Sequence, residues 1–254
     1  MSGFENELVS IVTPAFRAEA LVGDTIRSVI DQTYPHWEML IVDDCSPDNT
    51  RAVIREWCAQ DSRVKLIEHV TNGGPAAARN TAINAARGRW LAYLDSDDLW
   101  LSEKLERTLA YAKANEAPLI FTGFRRISAD AQDVGRYIGV PKHVSYNQLL
   151  RNNVIATSTV VIDRTRVGPV VMKKTYYDDF ACWLEILKSG RRAHGLDADL
   201  MRYRVVNNSV SRNKKKSAMR VWQSYREIEK LSLPVSAWNF MHYAVNGIMK
   251  YRQF

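Results

Sequence analysis

Cysteine is scarce in this 254-residue chain: Cys45, Cys58 and Cys182 are odd in number and have neither CxxC nor metal-finger spacing. That excludes a disulfide-stapled scaffold and a zinc finger, and it reads as a chain of a reducing compartment. No GxGxxG follows the first apolar stretch and there is no GxxxxGKS/T, so neither a dinucleotide fingerprint nor a phosphate-binding P-loop is supported. Long apolar runs are missing as well. Leu231 to Met249 is uncharged throughout, but its apolarity is not sustained and Pro234 interrupts it, which argues against a spanning helix. The stretch "MSGFENELVSIVTPAF" has acids before its first apolar run and lacks the basic-then-apolar layout of a signal peptide. What is present is 46% hydrophobic residues, enough for a real core and incompatible with disorder or a collagen-like chain.

The formal charge of +7 is unevenly placed. Residues 201–254 hold eleven Lys or Arg against Glu227 and Glu229, a surplus of nine, whereas residues 1–200 carry a deficit of two. The basic character belongs to the tail, which suits phosphates, anionic lipid or nucleic acid without choosing among them.

The first 120 residues alternate short apolar strands with amphipathic segments, the pattern of a βαβ chain with a mostly parallel sheet. "LVSIVTPAF", "EMLIVDD", "VKLIEHV", "RWLAYLDSDDLW" and "PLIFTGFRRIS" read as strands. "AEALVGDTIRSVIDQ", "SPDNTRAVIREWCAQ", the alanine-rich "PAAARNTAINAARG" and "SEKLERTLAYAKANEA", started by Ser102, read as helices. Periodicity weakens from 128 to 150, where a hairpin or loop is expected; "VIATSTVVIDRT" returns as a strand and "YYDDFACWLEILKSG" as a helix ending at Gly190.

Acids gather at strand ends: Asp43 and Asp44 after the second strand, Asp95, Asp97 and Asp98 after the fourth. In an open parallel sheet that is where ligands bind. Clustered carboxylates repel one another and are costly to desolvate, so a cation makes physical sense of them, and hard oxygen donors without nearby Cys or His favour Mn2+ or Mg2+ over zinc. Arg79 reads as a phosphate contact, as a brace for these carboxylates or as an ordinary surface helix residue. Gly73 and Gly74 allow close backbone approach or simply a tight turn. Asp178 and Asp179 precede an apolar helix, and serve either as caps or, within reach of an acceptor hydroxyl, as a general base.

Taken in order, QTY, VDDxSxDxT, GxxxARN and LDSDDxW make the chain resemble family 2 glycosyltransferases with a GT-A fold, closely over residues 8–110 and more loosely at "YYDDFACWLEILKSG". The resemblance implies an α/β fold with a Rossmann-like, mostly parallel sheet: a catalytic domain over 1–216, with a nucleotide half at 8–110 and an acceptor half at 111–216, then an amphipathic helical segment at 217–254. It implies that Thr13, Pro14 and Ala15 line a nucleotide pocket, that Glu19 lies near base or ribose, that Asp44 binds the base, and that Arg79 and Ser96 lie against the nucleotide. Asp95 and Asp97 become the Asp-x-Asp pair, with Asp97 or Asp98 as the direct metal ligand, and Asp179 becomes the base. Asp178 stands where Glu is more usual. "YRVVNNSVSRNKKK" is similar to a family segment near the phosphates or acceptor, making Arg204, Ser209, Ser211 and Lys214 candidate contacts.

The implied activity is inverting, metal-dependent transfer of a hexose or N-acetylhexosamine. The expected donor is a nucleoside-diphosphate sugar, with UDP as the default. The expected acceptor is a hydroxyl of a polyprenyl-diphosphate-linked saccharide in O-antigen or capsule assembly. The tail, with Trp222, Tyr225, Trp238, Phe240 and Tyr243 beside its basic run, either lies on an anionic bilayer or packs on the catalytic domain. The first reading places the enzyme peripherally at the cytoplasmic face of the inner membrane. A nucleotidyltransferase would carry a Gly- and Arg/Lys-rich first loop where this chain has "TPAFRAEALVG". Nucleic acid is not an expected partner, because the charge surplus is confined to the tail and the body is acidic.

Overall fold

The computed structural model describes residues 5–175, 177–205 and 214–252. The chain begins with β1 (Glu5–Ala15), α1 (Val22–Ile30), β2 (Trp37–Asp43), α2 (Thr50–Gln60), β3 (Val64–Glu68), α3 (Pro75–Ala85) and β4 (Gly88–Tyr93). It continues through β5 (Leu99–Trp100), α4 (Lys104–Ala114), β6 (Leu119–Ile127), β7 (Val134–Ile138), β8 (His143–Val144) and α5 (Tyr146–Arg151). A 3-10 turn (Thr157–Thr159), β9 (Val161–Asp163), the short α6 (Arg164–Val167), α7 (Asp178–Lys188) and β10 (Ala193–Arg204) complete the body. The tail forms α8 (Lys214–Gln223), a π-helical turn (Ser224–Ile228) and α9 (Leu233–Arg252).

The main sheet runs β3-β2-β1-β4-β9-β6-β10-β5, with β7 beside β6 and β8 beside β10. Its long pairings, β1 with β2 and β4, β2 with β3, and β6 with β10, are parallel. The antiparallel ones are short: β9 is a three-residue wedge between β4 and β6. Every residue of β2 is buried, as expected where helices cover both faces. One face packs Val12, Leu40, Tyr93, Phe121 and Trp183 beneath α3, α5 and α7; the other packs Ile11, Ile26, Ile41, Trp90 and Leu105 beneath α1, α2 and α4. The alanines of α3, among them Ala78 and Ala82, let that helix lie close to β1 and β2.

Parallel pairing brings the carboxyl ends of β1, β2 and β4 to one edge, with Ala15 opposite Asp43 and Val12 opposite Tyr93. The amino end of α7 is held near the same edge. Trp183 of α7 meets Tyr93 of β4 edge to face, with ring centroids 5.2 Å apart.

Four readings change. "VIATSTVVIDRT" contains only the short β9, because Thr157, Ser158 and Thr159 are all buried in the 3-10 turn rather than alternating across a sheet. β10 went unread, since "AHGLDADLMRYR" is heavily charged and its pairing with β6 shifts register twice. The helix expected to start at Ser102 starts at Lys104, with no side-chain cap. The expected boundary at 216/217 falls inside α8, and Val221 and Tyr225 beyond it belong to the same buried cluster as α3 and α7.

Candidate active site

After β4 the chain turns through Asp95–Asp98 before pairing again as β5. The turn is held from behind. Thr25 of α1 donates its hydroxyl to the carbonyls of Ser96 and Asp98, both at 3.0 Å. Arg204 at the end of β10 donates Nε to the Asp97 carbonyl at 2.8 Å, Nη1 to the Ala129 carbonyl at 2.6 Å and Nη2 to Asp24 Oδ2 at 3.3 Å. Its side chain is only 1% exposed. Arg204, a candidate contact for phosphates or acceptor by resemblance, has its guanidinium engaged here in supporting the acidic turn.

Asp98 is engaged in the same support. Its Oδ1 accepts the Arg204 N–H at 2.9 Å, its Oδ2 accepts the Ser158 hydroxyl at 2.6 Å, and the residue is buried. Burial, then the charges of Asp97 and Asp95, push its carboxyl well above the usual range. Asp98 is an inward brace, because both oxygens face protein donors. Asp95 and Asp97 are left nearer the open side. Asp97 is partly exposed and accepts no side-chain hydrogen bond among the described residues; burial and the Asp95 charge raise it to about 6.

Arg79 of α3 spans the gap between two acidic sites far apart in sequence. Its Nη2 meets Asp95 Oδ1 at 2.6 Å and its Nη1 meets Asp178 Oδ2 at 2.7 Å. Burial opposes the charge, but Asp95, Asp178 and Asp179 outweigh it and hold the guanidinium above its ordinary value. Of the readings open for Arg79, the brace is the one the geometry displays.

The two acids of α7 differ. Asp178 is buried against Arg79, whereas Asp179 is partly exposed. Asp179 Oδ1 accepts the Phe180 N–H and its Oδ2 accepts the Thr157 hydroxyl, both at 2.7 Å. Burial and the adjacent Asp178 raise its carboxyl, against the pull of Thr157 and Arg79. Each oxygen retains lone-pair capacity that no donor among the described residues fills.

At the end of β2, Asp44 shapes a loop. Its oxygens accept the backbone N–H groups of Gly73 at 2.8 Å and Gly74 at 2.7 Å, and Oδ1 lies 2.8 Å from His69 Nδ1. Gly74 adopts φ +84, where a side chain would be strained, and Pro75 then starts α3. Its carboxylate is thus committed to holding the Gly73–Gly74 turn. Thr13 and Ala15 are buried and Pro14 is partly exposed at the end of β1; the exposed Glu19 caps Asn49, accepting its N–H at 3.1 Å and its Nδ2 at 2.9 Å. Ser96 lies in the acidic turn. Ser209 and Ser211 lie outside the described residues, and Lys214 opens α8.

Asp95 and Asp97 are half-buried carboxylates, hard-oxygen donors of the kind Mn2+ or Mg2+ takes, although Asp95 already gives Oδ1 to Arg79 at 2.6 Å. Among the described residues no three acids, histidines or thiols converge into a complete protein ligand set. Sequence reading missed Thr25, Thr157 and Ser158, the hydroxyls that hold the acids. The one available signal was a run of three consecutive polar residues inside an apolar segment.

The model of the glycosyl transferase family 2 matches residues 10–167. TuaG of Bacillus subtilis (strain 168), a glycosyltransferase assigned to teichuronic acid biosynthesis, is 41% identical over 96% of this chain and 97% of its own length. WfgD of Escherichia coli, named as a UDP-Glc:alpha-D-GlcNAc-diphosphoundecaprenol beta-1,3-glucosyltransferase, is 36% identical over 97% of this chain and 96% of its own. The crystal structure of Staphylococcus aureus TarS 1–349 in complex with UDP superposes with a TM-score of 0.68, at 16% identity, over 93% of this chain and 70% of that one, so the fold is shared. The family model and these relatives show that the chain belongs to glycosyltransferase family 2.

Proposed function

We propose that the protein transfers a hexose or N-acetylhexosamine, with inversion, from a UDP-sugar to a hydroxyl of a saccharide carried on a lipid diphosphate, in assembly of a bacterial surface polysaccharide. The observation that carries this reading is the placement of Asp179, the partly exposed acid of α7, beside the Arg79 bridge that ties α7 to Asp95. The Escherichia coli relative supports the substrate classes: its name specifies UDP-Glc, a diphosphoundecaprenol-linked acceptor and a β-linked product.

In the proposed reaction Asp179 takes the proton of the acceptor hydroxyl as its oxygen forms the bond to the anomeric carbon, and the bond from that carbon to the diphosphate breaks on the opposite face. Asp95 and Asp97 would hold Mn2+ or Mg2+, which offsets the charge that gathers on the departing diphosphate. Asp178 leaves the proton to Asp179, since its own carboxylate is engaged by Arg79. Asp44, Gly73 and Gly74 form the wall for the base, with Thr13 to Ala15 beneath.

The acceptor's lipid calls for a membrane-facing surface. Met219, Leu233, Val235, Trp238, Met241 and Val245 of the tail are exposed large apolar residues. Among the described residues no helix is long and apolar enough to cross a membrane, so we assign this surface to lying on an anionic leaflet rather than spanning it.

The direct test is a donor screen by nucleoside-diphosphate release with a lipid-diphosphate-linked monosaccharide acceptor, repeated on Asp179→Asn. The variant keeps donor binding by calorimetry and loses turnover by about 100-fold or more. Undiminished turnover overturns the base assignment.

A further inference from the structure

The turn that sequence patterning takes for strand makes contacts on three consecutive residues. Thr157 donates its hydroxyl to Asp179 Oδ2 at 2.7 Å. Ser158 donates to Asp98 Oδ2 at 2.6 Å and accepts the Asp95 N–H at 3.0 Å. The Ser158 carbonyl takes Trp100 Nε1 at 2.8 Å and the Thr159 carbonyl takes Lys104 Nζ at 3.0 Å. The turn is buried and pinned on its acid-loop side; the Thr159 hydroxyl turns back to the Ala156 carbonyl, and the Thr157 hydroxyl points to α7.

We infer that Thr157 is a positioning residue for transfer: through one hydroxyl it aims the Asp179 carboxylate and sets its distance from the acidic turn that Ser158 grips. The inference rests on the reading of Asp179 as the base. Displacement at the anomeric carbon needs the incoming oxygen and the departing diphosphate in line, so the base and the diphosphate site must keep a fixed separation. Asp179 sits on a helix and Asp95 to Asp98 on a loop between strands. Trp183 packs α7 on Tyr93, but the side-chain hydrogen bonds that link the two acidic sites among the described residues run through Arg79 and this turn, and Arg79 engages Asp178 rather than Asp179. Without Thr157, the hydrogen bond left to the carboxylate among the described residues is that of the Phe180 N–H, which is local to its own helix and does not register it against the acidic turn.

The test compares Thr157→Val, Thr157→Ala and Thr157→Ser with the unaltered full chain. The assay uses the donor found active in the screen and a synthetic lipid-diphosphate-linked N-acetylglucosamine as acceptor. Val keeps the shape and removes the donor; Ser keeps the donor and removes a methyl. Loss of a hydrogen bond to a charged group predicts a kcat lower by about 10- to 100-fold in Val and Ala, with the donor dissociation constant and KM within about twofold and Ser close to the parent. In an Asp179→Asn background, adding Thr157→Val causes no further loss, because the carboxylate it aims is gone. Parental kcat in both Val and Ala overturns the inference. So does a Ser variant as impaired as Val with matching falls in melting temperature, which marks a packing role only. If instead Asp179→Asn itself turns over normally, the base assignment fails, and that outcome is separate from the behaviour of Thr157 in the parent background.

Discussion

Arg79 and Lys104 are both buried cations, held by opposite means. Arg79 has two carboxylates within 2.7 Å and stays charged. Lys104 is fully buried and has the Thr159 carbonyl at 3.0 Å, the Thr108 hydroxyl at 3.3 Å and the Trp100 ring at 5.4 Å, but no carboxylate among its described partners. Burial lowers its amine to about 7. The unfolded chain keeps that proton until about 10.4, so the unfolded state binds more protons between the two values and stability rises with pH across that window. Below about 7 both states are charged and the burial cost is fully present. Comparing the parent with Lys104→Met by urea unfolding from pH 6.5 to 9.5, we expect the parent to gain on the variant by up to about 1.4 kcal/mol per pH unit. A flat difference curve refutes the assignment. The acids of "DSDD" were legible as a site from charge clustering alone, but Lys104, within "SEKLERTLAYAKA", reads as a solvent-facing helix residue. Its burial depends on the 3-10 turn folded over it.

At the scale of elements, β1 and β4 set the frame on which the acidic turn hangs. Gly88 opens β4, and a Cβ there would lie 2.4 Å from the Leu8 carbonyl oxygen. Backbone cannot swing aside as a flexible side chain can, so Gly88→Ala forces the strands apart at the end remote from the site. We expect a loss of about 1–3 kcal/mol in chemical denaturation. Stability unchanged within error would show that the strand ends shift freely. β1, β2, β4 and α1 to α4 were readable because their apolar residues recur at strand or helix spacing. β9 and β10 were not. The first is three residues long and the second pairs through charged, register-shifted positions, so neither leaves a periodic trace.

Across the whole molecule, a body with a small acidic excess carries a tail with a surplus of nine positive charges. The tail is built into the body as well as facing outward. Val221 and Tyr225 enter the core, the Tyr225 hydroxyl donates to the Leu150 carbonyl, and Glu229 takes Lys188 at 2.9 Å and Tyr146 at 2.5 Å. Lys188 is the last residue of α7, the helix whose first turn carries Asp178 and Asp179. Removing 217–254 would therefore uncover core and lower the melting temperature, confounding any measure of membrane binding. Trp238→Ser with Met241→Ser changes only exposed side chains one helical turn apart. We expect that double variant to keep the parent's melting temperature while losing most flotation with anionic vesicles, and the parent's flotation to fall as salt rises. Equal flotation of parent and variant would remove α9 from the membrane surface.

The sequence by itself determined the family, the alternation of strands and helices, and the acids that gather at strand ends, because each rests on local spacing or on residue types adjacent along the chain. Only the tertiary structure decided what those acids do. Asp98 and Arg204 turn inward while Asp97 and Asp179 stay partly exposed, Asp178 is taken by an arginine 99 residues away, and a hydroxyl 22 residues upstream donates to Asp179. A carboxylate's role follows from which donors surround it and how much water reaches it, and those neighbours come from elements that the chain brings together only by folding.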